Sequence, residues 1–330
     1  MRFSQIHGLE ETKEHLINGV QNNHVAHAQL FAGIEGSAVL PMALAYATYL
    51  NCEQPTEVDS CGVCPSCVKN DKFVHPDTHF IFPVSATKEV TGKEVNSNGF
   101  MTQWRSFLLK NPYGNLVDWS AEFGGENKQA AISRQESRNI IERLSLKSFE
   151  GKYKLMIIWL PELMHPNGAN GILKILEEPS EGTIFLLVSN QTDRLLATIK
   201  SRTQLVRIPA FSDEELVALL TSQNGLDSTK AAQIANMAEG SFRRAQVLKN
   251  EVEEDTHDMF RNWMRLCFNN DFAALVDYAE KFAALNKVSQ KTMLLYGINI
   301  LRESLVADFA EGKLLRVIGD ERTFATKFNN

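Results

Sequence analysis

Two runs restrict what this chain can fold into more than any other feature: LMIIWL at 155–160 and TIFLLV at 183–188 are apolar at nearly every position. A strand with one wet face alternates apolar and polar side chains. An unbroken apolar run belongs to a strand covered on both faces, as in a parallel sheet flanked by helices. Between the runs, residues 166–178 carry Ile172, Leu173, Ile175 and Leu176 at helical spacing and stop before Pro179. Strand, helix, strand in that order is a crossover unit of an α/β domain.

The flanking segments extend the pattern. Residues 1–24 read as a helical lead-in, 26–32 and 204–208 as short strands, and 80–82 as a further strand. Residues 39–50 form an apolar helix that tolerates Pro41 in its first turn. Ser133 and Glu136 have capping-box spacing ahead of a helix with Ile140, Ile141 and Leu144 on its apolar face, and a short helix is expected near 193–199. Beyond Pro209 the pattern is helical throughout. Ser212 and Glu215 form a second capping box, and helices are expected at about 213–222, 228–238 and 241–250. Three more amphipathic helices follow from 252 to 330, broken near 270 and 287. The chain therefore divides into an α/β domain (1–209), a small three-helix domain (210–250) and a helical C-terminal domain (251–330). Residues 85–130 are rich in Gly, Asn, Lys and Glu, with Trp104, Phe107 and Trp119 interspersed. They read as an insertion with one helix near 100–110 and partial order or mobility elsewhere.

A chain of 330 residues suits two or three domains. A net charge of −6 argues against coating nucleic acid by bulk charge. The N-terminus has no apolar core of signal-peptide type, and the 155–160 run is too short to span a bilayer, so a cytoplasmic protein without membrane contact is expected. Four of the five cysteines, Cys52, Cys61, Cys64 and Cys67, lie within sixteen residues of one another. Two-residue gaps let neighbouring thiolates converge on one ion, and the fourth completes a tetrahedron; structural Zn²⁺ fits best. An iron–sulfur cluster is the alternative, but the C-x3-C-P ending is missing. Cys267, on an apolar helical face, reads as a core residue.

The glycine turn after the first strand reads Gly33, Ile34, Glu35, Gly36, Ser37, Ala38, Val39, Leu40. A phosphate-binding loop is G-x-x-x-x-G-K-[ST], with backbone N–H groups around the phosphates, a Lys on the β/γ-phosphates and a hydroxyl on Mg²⁺. On that frame Ala38 replaces the second glycine, Val39 the lysine and Leu40 the hydroxyl. Either the loop is a degenerate nucleotide site or it is the plain strand–turn–helix of any α/β protein.

Three separated motifs bear on that choice: NGILKILEEP at 170–179, TIKSRTQ at 198–204 and GSFRRA at 240–245. With the four-cysteine knuckle they resemble the AAA+ clamp-loader subunits of bacterial DNA polymerase III, the gamma/tau/delta-prime family, over most of residues 1–250. The likeness is to the delta-prime type in particular. It implies an AAA+ parallel-sheet domain of P-loop type, a helical lid domain and a helical collar domain for oligomerisation; the collar is either reduced here or ends within the domain. The family's ATPase members carry an Asp-Glu pair where this chain has Trp159 and Leu160, and Glu162 falls two residues too late, as a surface carboxylate. The resemblance therefore implies a chain that does not hydrolyse ATP and binds little or none, with no ATP cofactor expected, but belongs to a DNA-directed DNA polymerase holoenzyme. Arg202, held by Ser201, would be an arginine finger for a neighbour's ATP; the alternative is a local surface ion pair. Lys200 would add positive charge. Arg243 sits at the family's sensor-2 position and, beside a dead site, would act as a structural ion-pair residue. The implied partners are gamma/tau ATPase subunits and delta, and through them the sliding clamp and primed DNA in a nucleoid-associated replisome. Two other readings stay open: an active ATPase of gamma/tau type with a divergent loop, and a zinc-bearing nucleic-acid adaptor.

Overall fold

The computed structural model describes residues 1–125, 128–145, 147–251, 256–285, 287–309, 315–317 and 319–327. They form two compact units, Met1–Ala210 and Phe211–Asn330.

Five parallel strands build the first unit: β1 (Ala28–Ala32), β2 (Thr78–Ile81), β3 (Lys154–Trp159), β4 (Thr183–Ser189) and β5 (Gln204–Arg207), in the order β2-β3-β4-β1-β5. All of β3 and β4 is buried, as their unbroken apolar runs require. The helices are α1 (Glu10–Gln21), α2 (Val39–Leu50), α3 (Pro65–Asp71), α4 (Met101–Lys110), α5 (Leu116–Phe123), α6 (Arg134–Ser145), α7 (Pro166–Glu177) and the short α8 (Ala197–Lys200). The α/β fold class expected from the sequence is therefore present, with the helices that follow it forming the second unit.

Alternation along the strands separates two faces of the sheet. Leu30, Ile81, Met156, Ile158, Phe185 and Leu187 pack with Ile140, Leu144, Ile172, Leu176 and Ile199 of α6, α7 and α8. The intervening residues, Phe31, Phe80, Ile157 and Trp159 among them, face the opposite side, where α2 lies; Phe31 meets Tyr46 of α2 at 6.0 Å between ring centroids.

The 85–130 segment departs from expectation. Among its described residues it holds two α-helices, α4 and α5, and Trp104, Phe107, Trp119 and Phe123 are core. Trp104 and Trp119 are fully buried. Phe82 stacks on Trp104 at 4.2 Å, Trp119 stands edge-on to Trp104 at 5.1 Å, and Phe123 packs on Trp119 at 4.8 Å. Such pairs contribute about 0.5–1.5 kcal/mol each beyond their buried area. Asn115 caps α5 by accepting from the Val117 and Asp118 N–H groups, and Gly124 ends it in the left-handed region. An antiparallel bridge between Val84 and Ala131 closes the base of the segment. A second difference lies at Ser133. Its hydroxyl is buried without a partner, and the Glu136 carboxylate accepts from the Ser97 N–H instead of closing a capping box. A long-range pin on the insertion has taken the place of a local cap.

The second unit is helical: α9 (Asp213–Asn224), α10 (Ser228–Ala238), α11 (Phe242–Glu251), α12 (Thr256–Phe268), α13 (Phe272–Ala284), α14 (Lys287–Phe309) and α15 (Gly319–Lys327). The Ser212–Glu215 capping box is formed. Past residue 252 there are four helices among the described residues, not three. Cys267 is exposed rather than core. No helix of the described residues is long and apolar enough to cross a membrane.

Candidate functional site

Backbone register sets three segments side by side along the C-terminal edge of the sheet, where open α/β sheets hold their ligands. Ala32 pairs with Ser189 and Arg207, and Trp159 pairs with Val188. The Gly33 N–H donates to the Ser189 carbonyl at 3.4 Å, and the Leu160 N–H to the Val188 carbonyl at 2.8 Å. The glycine loop (33–38), the ends of β3 (159–160) and the exit of β4 (189–191) thus form one edge, which in a working nucleotide site would carry phosphate donors and metal-binding carboxylates.

Here the positions that would carry that chemistry are apolar. Ala38, Val39 and Leu40 are buried at 0, 2 and 4% exposure, and Trp159 and Leu160 at 2 and 5%. The Ser37 hydroxyl is turned back onto the Ile34 carbonyl at 2.8 Å. Gly33 persists for a reason unrelated to phosphate: a Cβ there would sit 2.5 Å from the Ile208 carbonyl oxygen, so the exit of β5 requires glycine. Gly36 has φ +76°, the left-handed conformation that turns the loop. Glu162 is not a free surface carboxylate. Its Oε1 accepts from the Asn190 and Gln191 N–H groups at 3.1 and 3.2 Å, which ties the exit of β3 to that of β4. Nothing in its sequence position signalled that cap.

Arg202 follows Ser201, the C-cap of α8. Its Nε donates to Glu177 Oε2 at 3.0 Å, and its Nη1 to the Thr198 carbonyl at 3.1 Å and to Ser201 Oγ at 3.4 Å. Ser201 in turn donates to the Thr198 carbonyl at 3.2 Å. The short helix and its serine thus orient the guanidinium, while Glu177, the penultimate residue of the LEE triplet, holds it in place. The pair is solvent-facing, with side chains 29 and 59% exposed, so it is worth only about 0–1 kcal/mol and opens readily. Lys200 is exposed beside it. Thr203 donates to the Ile199 carbonyl at 3.1 Å. Arg243 lies in the second unit, half-buried in the first turn of α11.

The four cysteine sulfurs lie within 4.8 Å of one another, a spacing that could hold a metal ion. Cys64 is the N-cap of α3, followed by Pro65, and Cys67 lies in its first turn. The N–H groups of Cys61, Cys64 and Cys67 donate to the sulfurs of Cys52, Cys61 and Cys64 at 3.2, 3.3 and 3.4 Å. N–H groups of Val63 and Cys64 pull the Cys61 thiol down to about 6, whereas burial pushes that of Cys67 up. Converging sulfurs that accept from backbone N–H groups are suited to a metal thiolate cluster. The knuckle follows the far end of α2, twelve residues and about 18 Å along the helix from the glycine loop. It is pinned there by Asn51, which exchanges two hydrogen bonds with the Tyr153 backbone at 2.9 and 2.8 Å just before β3. A metal at that edge cannot take part in chemistry at the other.

The family described as DNA polymerase III, delta subunit, matches residues 8–212. The delta′ subunit of Pseudomonas aeruginosa is 30% identical over 178 residues, covering 54% of this chain and 41% of its own length. The delta′ subunit of Bacillus subtilis is 24% identical over 236 residues, 72% of this chain and 58% of its own. The tau/gamma subunit of Haemophilus influenzae is 22% identical over 278 residues, 81% of this chain and 34% of its own. This chain thus spans between about a third and three fifths of the length of these relatives. A solved DNA polymerase III gamma subunit-related protein of Thermotoga maritima overlays on 93% of this chain and 76% of its own, at 15% identity and a TM-score of 0.39. The match over residues 8–212 places the chain by its family: it belongs to the clamp-loader subunit family of DNA polymerase III, in the group described as the delta subunit.

Proposed function

We propose that this chain is the non-hydrolysing, delta-prime-type subunit of the bacterial clamp loader, a fixed element beside a gamma/tau ATPase in the cytoplasmic replisome. It helps the assembly, with delta, place the sliding clamp on primed DNA. It lends Arg202 to the neighbour's nucleotide and has no polymerase or ATPase chemistry of its own. The observation that carries this reading is the contrast along one domain. Both halves of the nucleotide edge, Ala38-Val39-Leu40 and Trp159-Leu160, are apolar and buried, while Arg202 is pre-oriented at the surface by a pair that costs little to break. A guanidinium fork delivered in trans onto a γ-phosphate neutralises charge that develops in phosphoryl transfer, an effect of about 10³–10⁵ in rate. To act, the fork exchanges Glu177 for phosphate oxygens, and the Thr198 and Ser201 contacts keep it aimed.

The four-cysteine knuckle, in this reading, holds zinc as a closed structural tetrathiolate, leaving no coordination position for water. Residues 210–250 serve as the lid and 251–330 as the collar that joins the other subunits. On α14, Leu294, Ile298, Leu301 and Leu305 recur at spacings of four and three and are exposed, as a helix seam awaiting partners would be. Arg243 has a structural role. The test is loader ATPase with Arg202→Ala in place of the natural chain: the neighbour's hydrolysis falls if the reading is right and is unchanged if it is wrong.

A further inference from the structure

The 85–125 segment lies on the same face and the same edge of the sheet as the degenerate loop. Trp159 belongs to the α2 side, because its neighbours Met156 and Ile158 face α6 and α7. On that side its ring meets Trp104 at 5.1 Å and Phe107 at 5.9 Å, both from α4. Phe82, beyond the end of β2, lies under Trp104, and the Trp119 indole N–H donates to the Pro83 carbonyl at 2.7 Å. From the N-terminus of α5, the Asn115 amide reaches the loop itself and donates to Glu35 Oε1 at 2.7 Å. The segment is anchored at its base by two hydrogen bonds between Val84 and Ala131, at 3.1 and 3.0 Å, and in its middle by Glu136 on the Ser97 N–H.

We propose that this segment is a built-in plug of the nucleotide cleft: its aromatic stack fills the metal side at the end of β3, and Asn115 latches the loop after β1. The inference rests on the reading that the chain uses no nucleotide of its own, and it deepens that reading. Lost loop chemistry alone leaves an empty cleft that a few substitutions could refit. A cleft filled by the chain's own side chains is closed whatever the loop carries, and the plug holds the sheet edge in one shape without a ligand.

Two experiments on the full-length chain test it. Amide hydrogen exchange is compared between the natural chain and Asn115→Ala. Exchange at 34–37 should rise roughly fivefold, the factor one net hydrogen bond corresponds to, with β4 unaffected; an unchanged loop overturns the latch. In the second, Ala38→Gly, Val39→Lys and Leu40→Thr are combined with the segment intact, and melting is followed with and without millimolar Mg–ATP. No shift is expected. A shift in this refitted chain overturns the plug alone, whereas a shift in the natural chain overturns the non-nucleotide reading on which it rests.

Discussion

Replacing Trp159 with alanine removes a ring that is 2% exposed and lies against Trp104 and Phe107. Truncation of a large buried aromatic costs about 3–5 kcal/mol, depending on how far the surroundings collapse. Here one wall is the sheet and the other is an interlocked aromatic stack, so collapse is limited. Two ring contacts, at about 0.5–1.5 kcal/mol each, are lost as well. The expected loss is therefore at the upper end, about 4–5 kcal/mol, against a total of about 5–15 kcal/mol for a typical domain. Trp159→Asp should be at least as damaging at neutral pH, because a carboxylate placed among these rings has no partner for its charge. Urea unfolding followed by intrinsic fluorescence suits the question. Trp104, Trp119 and Trp159 all belong to this cluster, and only Trp263 of the four tryptophans lies in the second unit. A loss below about 1 kcal/mol for Trp159→Ala would refute the claim that the acidic position of the family has become core.

Three further outcomes follow from the same geometry. Burial pushes the Asp77 carboxyl up, but the N–H groups of Glu150, Gly151 and Phe149, at 2.8, 2.7 and 2.6 Å, outweigh it and hold the group below the ordinary carboxylate value. A depressed value adds stability that is present above the unfolded value of about 3.9 and is lost as pH falls through the folded one. Asp77→Asn should lower Tm at pH 7, and the gap to the natural chain should narrow as pH falls below the unfolded carboxylate value of about 3.9; a gap constant across that range would contradict it. Cys61→Ser with Cys64→Ser should abolish a metal content of about one zinc per chain and lower Tm, and metal-free natural protein of full stability would remove the zinc proposal. Gly33→Ala should cost about 1–3 kcal/mol through the Ile208 carbonyl, with no nucleotide present, so an unchanged Tm would show that the strand exit tolerates a side chain.

The sheet was legible because its signals are local. Unbroken apolar runs at 155–160 and 183–188 can only be buried strands, and Pro179 and Gly225 end helices for reasons visible in one residue. The cysteine spacing likewise carried its own geometry. What the sequence concealed depends on distant partners. Trp104, Phe107 and Trp119 looked like rings scattered in a polar insertion because Phe82, which meets Trp104 and Trp119, and Trp159, which meets Trp104 and Phe107, lie elsewhere in the chain. Glu136 has the spacing of a local cap yet serves Ser97, thirty-nine residues away. Glu162 stands two residues past the acidic position and serves the 190–191 loop instead. For Arg202 a surface ion pair was legible as the alternative to the finger, but its partner was not: Glu177 belongs to a motif that is separate in the sequence.

We propose that this chain acts on a neighbour's nucleotide through Arg202. The direct measurement is single-turnover ATP hydrolysis in a reconstituted loader containing the natural chain, Arg202→Ala or Arg202→Lys, with clamp and primed DNA present and assembly verified for each. Hydrolysis at the adjoining site should fall by about 10³ or more, and lysine should not restore it because it lacks the planar fork. Unchanged hydrolysis by a fully assembled Arg202→Ala loader would rule out the finger and leave Arg202 as the partner of Glu177 alone.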